Sequence, residues 1–247
     1  MIVARNISKT YPDGTNALRN INLKIGDGEI CSIIGPSGCG KSTLLLIFSG
    51  LLKPSGGEVL INNRRVESPR RDVALILQDY GLFPWKNVRD NIAVGMRIQG
   101  FPKNEIEDTV RTLIKKIGLE GFEKAYPKNL SGGMRQRVAF ARALALKPSI
   151  MLMDEPFSSL DALSRENMQN FLIQIYNDVK STIVLVTHSI EEAVLLGKKI
   201  VVLSERPGTV RKVVENKKAG RIEYRYEEDY FEMCREIREV MGLKNRS

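Results

Sequence analysis

The sequence lacks what a chain needs to enter or cross a membrane by itself. No apolar run in its 247 residues approaches the roughly 18 that a spanning helix requires. The longest candidate, residues 43–52, is about half that length. The opening stretch MIVARNISKT has no apolar core of a signal peptide, so a cytoplasmic location is expected. Cysteine is scarce. Cys31, Cys39 and Cys234 have no metal-ligand spacing and form no disulfide framework, which fits a reducing compartment. Histidine is scarcer still, with His188 alone. There is no repeat and no low-complexity linker. Charge of one sign is in excess, at +9 net. That could suggest nucleic acid or anionic lipid, but the bases are scattered among acids, as on a solvated surface. The cluster Arg64, Arg65, Arg70 and Arg71 has no interleaved aromatics to stack bases and reads as an exposed loop.

What is present is an alternation of strand and helix patterns. Ile21, Leu23 and Ile25 alternate with polar residues, as in a half-buried strand. ICSII at 30–34 is a buried strand ending in a glycine loop, and 41–52 is a helix stopped by KPSGG. VALIL at 73–77 is another buried strand. From Trp85 to Lys147 the character is helical. Ile106, Val110, Leu113, Ile114 and Ile117 fall at helical spacing, and Gly118 supplies a stop. Strands return with IMLM at 150–153. A helix over 161–179 follows, with Met168, Phe171, Leu172, Ile175 and Val179 on one face. Next come the strand TIVLVT, a capping box Ser189–Glu192 opening a helix that ends near Gly197, and a strand at 200–203. The tail, 227–241, reads as an amphipathic helix with Phe231, Cys234, Ile237 and Met241 inward. The fold class is α/β, with a mostly parallel sheet covered on both faces.

The chemistry concentrates at predicted strand ends. GPSGCGKST (Gly35, Pro36, Ser37, Gly38, Cys39, Gly40, Lys41, Ser42, Thr43) fits G-x-x-x-x-G-K-[ST] between a strand and a helix. Its backbone N–H groups would cradle phosphates, Lys41 would reach the β/γ-phosphates, and the Ser42 hydroxyl would ligate Mg²⁺. IMLMDEP delivers Asp154 to the same sheet edge, where it would hold Mg²⁺ through water. Glu155, one residue on, would take a proton from water attacking the γ-phosphate. A Glu after a strand is by itself an ordinary loop acid, and the phosphate loop beside it favours the base. His188 ends TIVLVT, where it would donate to the γ-phosphate or the attacking water; a structural hydrogen bond is the plain alternative. Gln78 ends VALIL within reach of Mg²⁺ or water. Tyr11 would stack on adenine, unless it is only a solvent-facing loop tyrosine. Ser131-Gly132-Gly133 opens a helix ninety residues after the phosphate loop, and its unpaired, sterically open N–H groups make a second anion site.

Taken in order, Tyr11, GPSGCGKST, Gln78, LSGGMRQR, IMLMDEP, SSLD and His188 resemble the ATP-binding subunit of an ABC transporter, up to about Val214. The LSGG-x-x-x-R stretch is the most specific mark. The resemblance implies a P-loop NTPase core over 1–84 and 148–215, with an N-terminal antiparallel β portion. It also implies an inserted helical subdomain over 85–147 and a helical tail over 216–247. ATP and Mg²⁺ are the implied cofactors, and a second copy is the implied partner. In such a dimer Ser131, Gly132, Gly133 and Gln136 would face the ATP held by the twin, and Asp161 would lie at the interface. Membrane permease subunits would dock near Tyr80, Leu82, Phe83 and Trp85, which otherwise read as core. LFPWKNV, FSSLDALSR and SERPGTV look like importers of nitrate, sulfonates, taurine or pyrimidine-type precursors, with an extracytoplasmic solute-binding protein as an indirect partner. Such a subunit would sit on the cytoplasmic face of the inner membrane. The rival reading is a soluble ABC ATPase acting on nucleic acid or ribosome. Those usually carry two cassettes or a coiled-coil insertion, and neither is here, so no nucleic-acid partner is expected. A phosphate-loop GTPase would need Asn-Lys-x-Asp, which is missing.

Overall fold

The structure, a computed structural model, describes residues 1–243, so the last four residues of the expected tail lie outside the described residues. Two sheets form. Strands β1 (Ile2–Thr10), β2 (Asn16–Ile25), β4 (Gly56–Ile61) and β5 (Arg64–Arg65) pair antiparallel in the order β2-β1-β4-β5. The larger sheet joins β3 (Ile30–Ile34), β6 (Val73–Ile76), β7 (Ile150–Asp154), β8 (Thr182–Thr187), β9 (Lys199–Leu203) and β10 (Val210–Glu215) in the order β10-β9-β3-β8-β7-β6. Every pairing in it is parallel except β10 with β9. Parallel strands place all their carboxyl ends on one edge, so the loops after β3, β7 and β8 converge there.

The period-two alternation of these strands divides the core. Cys31, Ile33, Leu152, Val184 and Val186 face helix α1 (Lys41–Phe48), which is packed between them and Ile7, Ile21 and Ile25 of the antiparallel sheet. Ile30, Ile34, Met151, Met153, Ile183 and Leu185 face the opposite way. They pack on a layer made of α2 (Val88–Ile98), α3 (Lys103–Lys116), α4 (Gly132–Leu144), α5 (Ala162–Val179), α6 (Ile190–Leu196) and α7 (Glu228–Val240). Burying each such aliphatic side chain stabilises the fold by about 1.5–3 kcal/mol.

Several local expectations change, among them Val179, expected on the apolar face of α5 but 43% exposed. Helix α1 stops at Phe48 rather than 52, because Gly50 takes φ +77 and the N–H groups of Gly50 and Leu51 bond back to Ile47 and Leu46, leaving Leu51 exposed. The capping box is half made. Ser189 Oγ accepts the Glu192 N–H at 3.2 Å, but the Glu192 carboxylate turns to Thr187. On α7, Phe231 is 54% exposed, and Tyr230 takes the inner position with Cys234 and Ile237. Helical spacing from Cys234 permits either residue. The edge-to-face contact of Tyr230 with Tyr224, 5.5 Å between centroids, decides it.

Candidate functional site

The loop from Gly35 to Gly40 turns from β3 into α1 at the carboxyl edge of the parallel sheet. Gly40 has φ +102, and a Cβ there would meet the Leu18 side chain at 2.6 Å and the Ala17 carbonyl oxygen at 2.8 Å, so only glycine fits. No side chain among the described residues caps α1, which leaves its first N–H groups open to an anion. Lys41 is only 5% exposed, and its ammonium donates to the carbonyls of Gly35 at 2.9 Å and Pro36 at 3.1 Å. Cys39 is buried, which pushes its thiol up and leaves it a packing group. The loop borders a cavity of about 240 Å³ to which Ser37, Gly38, Lys41, Ser42, Thr43 and Glu155 contribute, together with Tyr11. The Tyr11 hydroxyl lies 3.1 Å from Thr43 Oγ1, which fixes the ring at the cavity mouth.

The acids arrive from β7. The Ser42 hydroxyl donates to Asp154 Oδ1 at 2.9 Å, bringing together two hard oxygen donors from sequence positions far apart. Burial raises Asp154 above the usual carboxylate range and Glu155 adds repulsion, while the Ser42 hydrogen bond and Lys41 oppose them. Such a carboxylate gains from a divalent cation, and a hydroxyl beside it suits Mg²⁺. Glu155 follows with φ +45, a conformation that costs a non-glycine residue energy and that concentrates at functional sites. Its N–H donates to Val186 O at 3.0 Å, and Ser158 Oγ donates to its carbonyl at 3.0 Å, so the strained residue is held at both ends. Its carboxylate accepts from His188 Nδ1 at 2.9 Å. Glu155 and His188, from adjacent strands, thus form one unit at the phosphate edge.

Other expected residues lie apart from this cavity. The Gln78 amide donates to Ser158 Oγ at 3.4 Å, and through that serine it is tied to the Glu155 carbonyl, outside the cavity wall. Ser131 caps α4, its Oγ accepting the Met134 N–H at 3.2 Å. A Cβ on Gly133 would meet nothing within 4 Å, so that helix start is open on its outer side. None of Ser131, Gly132 and Gly133 borders the chain's own phosphate cavity. Gln136, expected beside them, has 0% exposure, and its amide donates to Pro156 O at 2.8 Å. From there it braces α4 against the Asp154–Glu155 segment, with no surface exposed to a second chain. Asp161 caps α5, accepting the Ser164 N–H at 2.9 Å, which with the Ser164 hydroxyl holds its carboxyl low. Of the aromatic segment after Gln78, Tyr80 is core and bonded to Ser159 at 2.6 Å, whereas Trp85 is 70% exposed with its ring 5.5 Å from that of Phe83.

The sequence reading passed over Thr15, Ala17 and Arg206, which also line the cavity. Arg206 sits in the turn between β9 and β10, and that turn is clasped to β2. Gly208 N–H donates to Ala17 O at 2.9 Å and Gly208 O accepts from the Arg19 N–H at 2.9 Å. A Cβ on Gly208 would lie 2.1 Å from the Cys39 carbonyl oxygen, so the turn is pressed onto the phosphate loop. The available signal was positional: β9 pairs parallel with β3, so whatever follows β9 arrives beside the loop that follows β3.

A family model described as ABC transporter matches residues 18–158. The chain belongs to the ABC transporter ATPase family. It is 44% identical over 214 residues to the aliphatic sulfonates import ATP-binding protein of Bacillus cereus, covering 85% of this chain and 84% of that protein. It is 44% identical over 200 residues to the taurine import ATP-binding protein of Roseobacter denitrificans, covering 81% and 75%. Against the solved dimeric structure of an ATP-binding cassette in a post-hydrolysis state with ADP and Pi, it superposes with TM-score 0.77 at 34% identity. That match covers 87% of this chain and 98% of that one. The P-loop core is therefore that of an ATPase, and ATP is its nucleotide.

Proposed function

We propose that the cassette is the energy-supplying subunit of an importer, and that two copies close around ATP to drive solute through separate membrane permease subunits. The observation that carries this is the division of anion sites within one chain. The phosphate loop is complete and lined on its own side, while the start of α4 is open, bordered by no part of that cavity, and free to meet another molecule's γ-phosphate. Ser131 and the N–H groups of Gly132 and Gly133 then serve the twin's nucleotide, and Asp161 lies where the copies meet. Gln136 has only its bracing role.

In the closed dimer Lys41 and the loop N–H groups hold the β/γ-phosphates, Tyr11 packs on adenine, and Arg206 adds positive charge at the mouth. Ser42 and Asp154 would hold Mg²⁺, which would supply charge neutralisation for the phosphates, and Gln78, tied to Ser158 outside the cavity, would have to shift to join them. Glu155 accepts the proton of the attacking water, and His188 positions Glu155 and the terminal phosphate. Closure brings the two half-sites together, and loss of the γ-phosphate bond weakens that closure, which is a two-state switch driven by differential binding.

Exposed Trp85, backed by Phe83, is the docking surface for a permease segment. It follows Gln78 in the chain, so nucleotide state and docking are mechanically linked. The sulfonate, taurine and nitrate import proteins among the relatives support a small anionic or zwitterionic solute, delivered by an extracytoplasmic binding protein. No helix among the described residues is long and apolar enough to cross a membrane, so attachment at the cytoplasmic face would come through the permease. The test is co-purification with membrane-spanning proteins, followed by ATP turnover with candidate solutes and their binding proteins. Recovery of nucleic acid instead of membrane partners would favour the soluble alternative.

A further inference from the structure

The segments that carry Asp161 and His188 are joined by a charge pair that the proposed mechanism does not use. Arg165 lies one turn into α5, and its Nη2 donates to the carbonyl of Leu160, the residue before Asp161, at 3.0 Å. Glu192 lies on α6 and is 4% exposed. It accepts from the hydroxyl of Thr187, the residue before His188, at 2.7 Å. The same Thr187 oxygen accepts the Ser189 N–H at 3.0 Å, so the chain is pinned on both sides of His188. Between the two ends is a gap: Arg165 Nε lies 3.7 Å from Glu192 Oε1. That N–H is buried and has no hydrogen-bond partner among the described residues.

The Arg165 side chain as a whole is 39% exposed, but its Nε–H is buried, and a buried donor without a partner needs an explanation. Here the missing partner is in view, a few tenths of an ångström beyond hydrogen-bond reach. Burial raises Glu192 above the usual carboxylate range, and Thr187, Arg165 and His188 oppose that while Glu155 adds to it, so the carboxylate also senses the catalytic pair.

We propose that Arg165 and Glu192 form a strut that carries displacement of the Leu160–Asp161 segment to Thr187–His188, and that its open Nε–H···Oε1 gap closes when two copies come together. The proposal rests on the reading that Asp161 meets the second copy and that His188 serves the reaction. The Leu160 carbonyl steers the guanidinium. A small inward shift of that carbonyl brings Nε into bonding range, and Glu192 then draws on Thr187 and the backbone from which His188 projects. Hydrogen bonds weaken steeply with distance and angle, so a small shift changes the coupling. Arg165 and Glu192 touch no reacting atom, so they are positioning residues.

The single histidine makes the test direct, because labelled histidine gives one imidazole to read in a chain purified without a histidine tag. Three full-length variants are compared: Arg165→Met, Glu192→Gln and the double. Each single variant is expected to lower kcat by about tenfold, with KM and ADP affinity within about twofold, since small misplacements at a reacting centre cost rate more than binding. The double should lose no more than the worse single, because either change cuts the same strut. Glu192→Gln keeps side-chain volume and the Thr187 bond, and so serves if Arg165→Met does not fold. Full kcat in either folded single, or losses that multiply in the double, would overturn the strut. An independent arm needs no turnover. Asp161→Ala should displace the His188 ring resonance in the natural chain and leave it in place in Arg165→Met; no displacement in the natural chain overturns the proposal. If the natural chain hydrolyses no ATP, or Glu155→Gln turns over normally, the proposed function fails, while the resonance arm still judges the strut.

Discussion

Two helix starts in this chain are suited to anions, and they differ in what surrounds them. At α1 the N–H groups are wrapped by the chain's own loop, with Lys41 folded over it and Ser42, Asp154, Glu155 and Tyr11 in or beside one small cavity. At α4 Ser131 caps the helix, glycines leave it open, and none of Ser131, Gly132 and Gly133 borders that cavity. A helix N-terminus favours negative charge in both places. Only the first also has the groups to do chemistry on it. On the proposed reading, the difference teaches that affinity and chemistry are local to one molecule, while completion of the site is left to a neighbour.

The comparison is broken most severely by removing the chemistry and keeping the cradle. Glu155→Gln should lower turnover by about 10²–10⁴-fold while ATP binding persists and a dimer accumulates, read by steady-state kinetics and light scattering. The next largest effect should come from the other helix. Ser131→Arg should abolish ATP-driven dimer closure and leave ADP binding to the single chain within about twofold, measured by calorimetry; lost ADP binding would mean that both helices serve one internal site. A smaller effect sharpens the boundary of the first region. Arg206→Ala should weaken ADP and ATP alike by about 5–20-fold, the scale of one exposed-edge charge-assisted hydrogen bond, with thermal stability unchanged. The smallest concerns Gln136. Gln136→Met should cost about 1–2 kcal/mol of stability by leaving the Pro156 carbonyl unpaired, seen in denaturant unfolding, with ADP affinity unaltered.

What was legible in the sequence was what is local. GPSGCGKST carries its own turn, its own cation and its own hydroxyl, so its reading needed no distant partner. Asp154, Glu155 and His188 were legible because strand ends in a parallel sheet share an edge. The meeting of His188 with Glu155, at 2.9 Å, was not legible, since it depends on β7 and β8 being neighbours. Arg206 was hidden for the same reason, because β9 had to be placed beside β3 before its turn could be brought to the loop. Gln136 was placed beside the twin's ATP by the resemblance alone, whereas Pro156, which only the fold brings beside α4, buries it. The capping pattern at Ser189 was right for the serine and wrong for Glu192, whose carboxylate Thr187 holds instead and toward which Arg165 of α5 points. No local pattern carries that choice.

The most direct test of the account joins its two helix starts across chains. Ser37 and Ser131 are both exposed, and the chain's cysteines are all buried, so Ser37→Cys and Ser131→Cys in the Glu155→Gln background offer two addressable thiols. A short thiol cross-linker should give a covalent dimer when ATP is present and little without it, with every link running from position 37 of one chain to position 131 of the other. Links formed only within single chains, or no ATP-dependent dimer at all, would contradict the claim that the second helix start serves a neighbour's nucleotide.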